Sequence, residues 1–212
     1  MESGNFYTSQ TYSYLALRKA VGWIGILLPF VLMFGNHIFF KEELTLNNIS
    51  LYYHSGMRDV FVGSVCAISL FLFFYKGYDK WVNFTGNLAG FFALGIVFFP
   101  TVKEGPYNLS AKIHFFCAAV FFTILSIISL FLFTRKRYNP TRQKLARNRI
   151  YIICGIIMVV CLLAIMIFIN LFENEYPRSD FVFWAETLAL LAFGTSWLTK
   201  GGTFYPDKKN NS

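Results

Sequence analysis

The sequence predicts an all-α fold: a polytopic bundle of six transmembrane helices with both termini in the cytoplasm. Three observations predict it. Of 212 residues, 56% are apolar and only 14% are charged, against about 25% charged in soluble domains. The apolar residues fall into six runs, each near the ~20 residues that cross a bilayer core. Lys and Arg are partitioned fourteen to five between the two sides those runs define, the asymmetry expected of a cytoplasmic and an outer face. This composition excludes a disordered chain, a disulfide-stapled secreted domain and a conventional soluble enzyme.

Residues 1–18 form a polar cytoplasmic segment leading to the basic pair Arg18 and Lys19. The first span, Ala20–Phe40, is uncharged and holds Pro29, whose missing N–H and bulky ring predict a kink. No small-residue cleavage signature follows it, so it is expected to stay as a span. The second run, Val60–Tyr75, is short unless Met57, Arg58 and Asp59 begin the helix in the interface. The third, Trp81–Pro100, carries Gly86 and Gly90 as a GxxxG pair, with Asn87 and Gly95 nearby. That pair predicts a close crossing with another helix of the same chain. The fourth, fifth and sixth spans are Ile113–Thr134, Ile150–Phe172 and Phe181–Thr199. The membrane domain thus occupies residues 19–200, and residues 201–212 are a cytoplasmic tail. None of the runs alternates strictly, which excludes a β-barrel.

Orientation follows from Arg135, Lys136, Arg137, Arg142, Lys144, Arg147 and Arg149, seven cations between the fourth and fifth spans. A basic loop so placed is a cytoplasmic retention signal and can touch anionic headgroups. With it inside, Arg18, Lys19, Lys76, Lys80, Lys200, Lys208 and Lys209 are inside too, and Lys41, Arg58, Lys103, Lys112 and Arg178 are outside. Glu42, Glu43, Asp59, Glu104, Glu173, Glu175 and Asp180 also fall outside. The net charge of +8 is therefore read as topology. No nucleic-acid motif accompanies it, and the partner it implies is the lipid bilayer.

The four cysteines, Cys66, Cys117, Cys154 and Cys161, all lie inside apolar runs without a CxxC pair. They read as small buried hydrophobes. Sequons at Asn48, Asn83 and Asn108 are read as chance, since Asn83 falls on the cytoplasmic side.

The chemistry is expected at the outer end. All three histidines lie there: His37 at the exit of the first helix, His54 before the second and His114 at the entrance of the fourth. Glu186 is the one carboxylate well inside an apolar span, and such residues face the bundle interior or a wet cavity. The densest polar cluster is Ser50-Leu-Tyr-Tyr-His-Ser-Gly-Met-Arg-Asp59. If helical, it places His54 and Arg58 on one face, and Ser55 and Asp59 on another. His54, Asp59, His114 and Glu186 are expected to converge on one outward-facing pocket, with Arg58 at its rim and Tyr53 beside it. Such a set would suit zinc or another first-row divalent ion. It would also suit a non-metal polar site, the favoured reading, or a purely structural network.

Several motifs carry resemblances. LRKAVGWIGILLPF, SLYYHSGMRDVFVG, YKGYD, GNLAGFFALGIVFFPT and AETLALLAFGTSWLTKG resemble a bacterial family of uncharacterised six-helix membrane proteins, from about Leu17 to Gly201. This resemblance implies a bacterial plasma membrane location. His114-Phe-Phe-Cys-Ala-Ala-Val-Phe-Phe, a histidine opening a helix, is similar to the Frag1/DRAM-like and DUF998 membrane proteins. Ser50-x-x-x-His54 is similar to the Ser/His motif of the membrane hydrolases that include alkaline ceramidases and progestin-adipoQ-type receptors. That likeness implies a histidine-held zinc in a seven-helix core that cleaves a lipid amide. Only Ser50, His54 and Asp59 carry over. The chain has six spans, and its last helix has Glu186 in place of a paired-histidine motif.

Two functions follow as expectations. The first is a membrane module whose outward pocket binds or passes a lipid headgroup, small solute or ion. The alternative is a metal-assisted hydrolase of a lipid or amide, with Glu186, Asp59 and His54 as its acid/base or ligand groups and Arg58 orienting an anionic headgroup.

Overall fold

The computed structural model describes residues 2–75, 80–135 and 140–206, with side chains from Leu15 onward. Residues 76–79 of the YKGYD stretch, Lys136 and Arg137 of the basic segment, and the tail with Lys208 and Lys209 lie outside the described residues. The described chain is all helical. Its helices are α1 (Glu2–Phe40), α2 (Arg58–Phe74), α3 (Lys80–Phe98), α4 (Leu109–Ile127), α5 (Arg142–Leu171) and α6 (Phe181–Lys200). A 3-10 helix, Ile49–His54, lies between α1 and α2, and a π turn, Ile128–Leu132, continues α4.

Five of these helices, α1 and α3 to α6, are long and apolar enough to cross a membrane. The chain is a multi-pass membrane protein. Its surface agrees: Val160, Leu163, Met166 and Ile167 of α5 are each half exposed or more. A girdle of large apolar side chains has no place on a water-facing surface of this extent.

Helix ends are set by local chemistry. The Asn108 side chain accepts from the N–H of Ala111 at 2.9 Å and starts α4 at Leu109, four residues before its apolar run. The Thr141 hydroxyl accepts from the N–H of Lys144 and starts α5 at Arg142. The cations Arg142, Lys144, Arg147 and Arg149 are therefore helical, where the sequence suggests a loop. At α3 the helix stops at Phe98, short of Pro100, because the residue before a proline is disfavoured in helix. α1 runs unbroken through Pro29.

Successive helices are antiparallel neighbours, and the contacts give the order. Gly86 and Gly90 of α3 face α2: an added Cβ would lie 3.1 Å from the Leu72 carbonyl and 3.0 Å from that of Ser69. The Ser69 hydroxyl donates to the Gly90 carbonyl at 2.7 Å across this crossing. The GxxxG face is thus a contact within one chain. Gly95 of α3 meets Cys117 of α4, and Gly155 of α5 meets Leu130. α6 closes the ring onto α1, where an added Cβ on Gly194 would lie 2.5 Å from the Gly22 carbonyl. Inside the ring, Trp197 of α6 is 2% exposed and takes edge-on contacts from Phe71, Tyr75 and Phe133. All four cysteines are free.

The ring has two chemically distinct ends. The acidic end carries the connections after α1, α3 and α5; the basic end carries Arg18, Lys144, Arg147 and Lys200.

Candidate functional site

At the acidic end the chain between α1 and α2 folds into the mouth of the ring. Asn48 caps the 3-10 helix, its side chain accepting from Leu51 N–H at 2.9 Å. The buried residues of this helix, Ile49, Ser50 and Tyr52, enter the ring like a plug. Tyr52 is fully buried, packs near Phe183 and donates to the Leu44 carbonyl. Burial pushes its phenol pKa up to about 12. Asn47 ties the plug to α6 by donating to the Pro177 carbonyl and accepting from Phe183 N–H.

The predicted site residues meet this plug in a different pattern from the expected one. Glu186 Oε2 accepts from the backbone N–H of Ile49 at 2.6 Å. His114 is 1% exposed, and its Nδ1 lies 3.0 Å from both the Ile96 and Phe99 carbonyls. Carbonyls only accept, so Nδ1 carries the proton. In the neutral ring Nε2 then accepts the Ser50 hydroxyl, 2.8 Å away. His54 is exposed, and its Nε2 donates to the Thr101 carbonyl at 2.7 Å. The chain turns at Ser55–Met57, so His54 and Arg58 do not share a helix face. Instead the Arg58 guanidinium lies over the Tyr53 ring at 4.6 Å and donates to its hydroxyl at 2.9 Å. Gly56 permits that turn, because its Cβ position is occupied by the Phe40 ring. Asp59 is exposed in the first turn of α2, where a carboxylate favours the helix N-terminus. His37 is exposed and donates to the Glu42 carbonyl.

The metal expectation does not fit these residues. Among the described residues no group of three or more His, Cys, Asp or Glu is placed to hold an ion. The ring nitrogens of His114 are engaged by Ser50 and two carbonyls, and Nε2 of His54 by another. His54, Asp59, His114 and Glu186 do not form a zinc shell.

Comparison with protein-family models, curated proteins and solved structures finds no match for this chain. The site must be read from its own geometry.

What the geometry provides is a cavity of about 120 Å³ between α4, α5 and α6. Its walls are apolar, with Phe115, Ala119 and Phe122 from α4 and Met158, Leu162 and Met166 from α5. Its polar lining comes from Asn48, Tyr107, Glu173 and Glu186, at the acidic end. Glu186 is the one predicted residue among its lining; His54, Arg58, Asp59, His114 and Tyr53 are not. Tyr107 donates to Glu173 Oε1. Burial and that carboxylate together hold the Tyr107 phenol well above its usual pKa, so it stays a donor into alkaline pH.

Asn48, Tyr107 and Glu173 were not foreseeable as site residues. Asn48 and Tyr107 sit in extramembrane connections, and Glu173 is one of several acids after α5. Ser50 had a signal in Ser50-x-x-x-His54, but its partner is His114, sixty-four positions away.

Proposed function

We propose that this chain is a bacterial plasma-membrane protein of six crossings, with both termini cytoplasmic, that binds an amphiphilic molecule at its outer end. The cavity carries the reading. It joins two carboxylates, a phenol and an amide to a long apolar wall between α4 and α5. Cavities with mostly apolar lining and a few convergent polar groups are the usual ligand sites. Glu186 Oε1 makes no hydrogen bond to the described residues. A carboxylate has acceptor capacity on both oxygens, so a head rich in N–H or O–H donors, neutral or cationic, suits this mouth. An anionic head would meet the Glu173 carboxylate at this mouth with like charge. The tail would lie along Phe122, Leu162 and Met166.

The metal-assisted hydrolase alternative draws no support from the arrangement of His54, Asp59, His114 and Glu186.

The test is photolabelling in nanodiscs with a long-chain amine carrying a diazirine in its tail. Saturable labelling of α4 and α5 peptides is expected. Ala119→Trp, which fills the cavity from α4, should abolish it. A long-chain carboxylate probe should label weakly. Labelling unaffected by Ala119→Trp, or equal for the two probes, would defeat the proposal.

A further inference from the structure

The opposite end of the bundle gathers four cations from three helices. Arg18 of α1 is 7% exposed. Its guanidinium lies 5.2 Å from the Tyr75 ring centroid, with Nη2 3.5 Å from that phenol and Nη1 3.5 Å from the Lys200 carbonyl. The Lys200 ammonium, at the end of α6, lies 4.9 Å from the Phe133 ring. Lys144, in the first turn of α5, donates to the Phe133 carbonyl at 2.8 Å and lies 5.8 Å from the Tyr151 ring. Arg147, one residue short of a turn further on, donates to the Tyr205 carbonyl at 2.6 Å. Arg18, Lys144 and Arg147 all stand close enough to Lys200 to act on its charge. Beneath them Phe133, Tyr151, Tyr75 and Trp197 form a buried aromatic floor.

A topology signal does not require this convergence. The positive-inside bias depends on how many Lys and Arg flank a span, and not on whether they meet. Cations drawn from α1, α5 and α6 to one place repel one another, which makes the place attractive to an anion. The segments at this end hold fourteen Lys and Arg against only Glu2, Asp79 and Asp207. Even with all three acids nearby, the excess is strongly positive. The start of α5 adds the partial positive charge of a helix N-terminus, directed toward the same region as Lys144. Guanidinium and ammonium groups are the usual partners of phosphate oxygens, and this end gathers two of each. The ends of membrane-crossing helices also lie at headgroup level.

We infer that Arg18, Lys144, Arg147 and Lys200 form a second site, separate from the cavity, that binds a phosphate-bearing anion. The phosphate belongs either to an anionic phospholipid of the adjoining leaflet or to a soluble phosphate.

The experiment uses the full chain in nanodiscs. Phosphatidylcholine discs doped with phosphatidylglycerol are compared with pure phosphatidylcholine discs, with and without inorganic phosphate. Retained lipid is counted by native mass spectrometry after gentle detergent release, and thermal melting is followed in parallel. Phosphatidylglycerol should be retained and should raise the melting temperature. Lys144→Gln with Arg147→Gln should lower retention by about tenfold, the factor that corresponds to ~1.4 kcal/mol of binding. Lys41→Gln with Lys103→Gln, at the acidic end, should leave it unchanged. If inorganic phosphate stabilises the protein in pure phosphatidylcholine and phosphatidylglycerol adds nothing, the phosphate source is soluble. A second measurement stands if the double variant fails to fold. Phosphate should then strip retained phosphatidylglycerol from the wild-type protein far better than chloride at equal ionic strength. Retention insensitive to Lys144 and Arg147, or equal displacement by the two salts, with no stabilisation by inorganic phosphate, would overturn the inference.

Discussion

Glu186 Oε2 accepts the backbone N–H of Ile49 across 2.6 Å, joining the second turn of α6 to the first residue of the plug. A carboxylate inside an apolar span needs a partner, and here the partner belongs to the main chain. The bond satisfies an N–H that the 3-10 helix leaves without an intrahelical acceptor. It also positions Glu186 at the edge of the cavity. One side chain therefore closes the mouth of the bundle and shapes the site beside it.

Removing that acceptor should destabilise the fold. Glu186→Leu avoids burying a carboxylate but strands Ile49 N–H, which costs about 1–3 kcal/mol. The sequence by itself favours the opposite outcome, a leucine tolerated at least as well as the acid. Glu186→Gln keeps an acceptor and should lose less. Thermal unfolding in detergent decides between them: a Leu variant as stable as wild type would show that the plug does not depend on this bond.

Ser50 and His114 should behave as a coupled pair. Their hydrogen bond is buried and links the plug to α4, so truncating either partner leaves a polar group unsatisfied. A double-mutant cycle with Ser50→Ala and His114→Phe should give a coupling of about 0.5–3 kcal/mol. His54→Ala, at an exposed ring, should cost less than His114→Phe. Additive effects of Ser50 and His114 would contradict the pairing.

Glycine substitutions should separate by crossing. A Cβ on Gly194 would meet the Gly22 carbonyl at 2.5 Å and Ile26 Cγ1 at 2.6 Å. α1 and α6 would have to move apart, and overpacking of this kind costs about 1–3 kcal/mol. Gly86→Ala, with 3.1 Å to the nearest carbonyl, should cost less, whereas Gly86→Leu should disrupt α2–α3 packing in the monomer. Gly63 has nothing within 4 Å, so Gly63→Ala should be neutral or stabilising by a few tenths to about 1 kcal/mol. Melting temperatures of the four variants test the order.

Tyr107 predicts a pH effect. Its folded pKa is raised above the unfolded value of about 10. The stability it contributes is therefore complete below pH ~10 and is lost as pH rises through the folded value. Wild-type protein should lose melting temperature above pH ~10 more steeply than Tyr107→Phe does. Parallel curves would mean that the phenol is not held as a donor to Glu173.

Much of the fold is legible because lipid imposes a coarse, one-dimensional rule: apolar runs of sufficient length become helices. The same rule is silent on capping. α4 and α5 start early because Asn108 and Thr141 offer side-chain oxygens, a signal visible in the sequence only once the helix direction is known. The Gly86–Gly90 crossing is legible from spacing, whereas Gly22 and Gly194 share no motif and meet through the closure of the ring. Glu186 is legible because burial of an acid is costly. Its partner is not, since any backbone N–H can serve and the sequence does not mark which one folds inward. The expected convergence of His54, Asp59 and His114 rested on depth alone. Depth fixes a level in the membrane and leaves the angular position around the ring open.

That leaves α2, on which the crossing number turns. It has 17 residues, about 26 Å at 1.5 Å per residue, slightly less than a ~30 Å hydrocarbon core. Its neighbours favour a crossing. Ser69 bonds to α3 deep in the bundle, and Leu72 and Phe61 are buried. The plug before it brings the chain into the mouth, so that Arg58 starts α2 within the bundle's acidic end. The start of the α1 span and the end of α6 meet where Arg18 donates to the Lys200 carbonyl, so six passes with the termini on one side are expected, and an odd number with opposed termini would contradict that contact. Alkaline phosphatase and fluorescent-protein fusions after Lys200, together with protease accessibility of an amino-terminal epitope, distinguish the cases directly. Both ends should be cytoplasmic, with fluorescence and no phosphatase activity at the carboxyl end. A phosphatase-active fusion there with a protected amino terminus would contradict the meeting of Arg18 and Lys200, and one with an exposed amino terminus would invert the topology and place the amphiphile site at the cytoplasmic face.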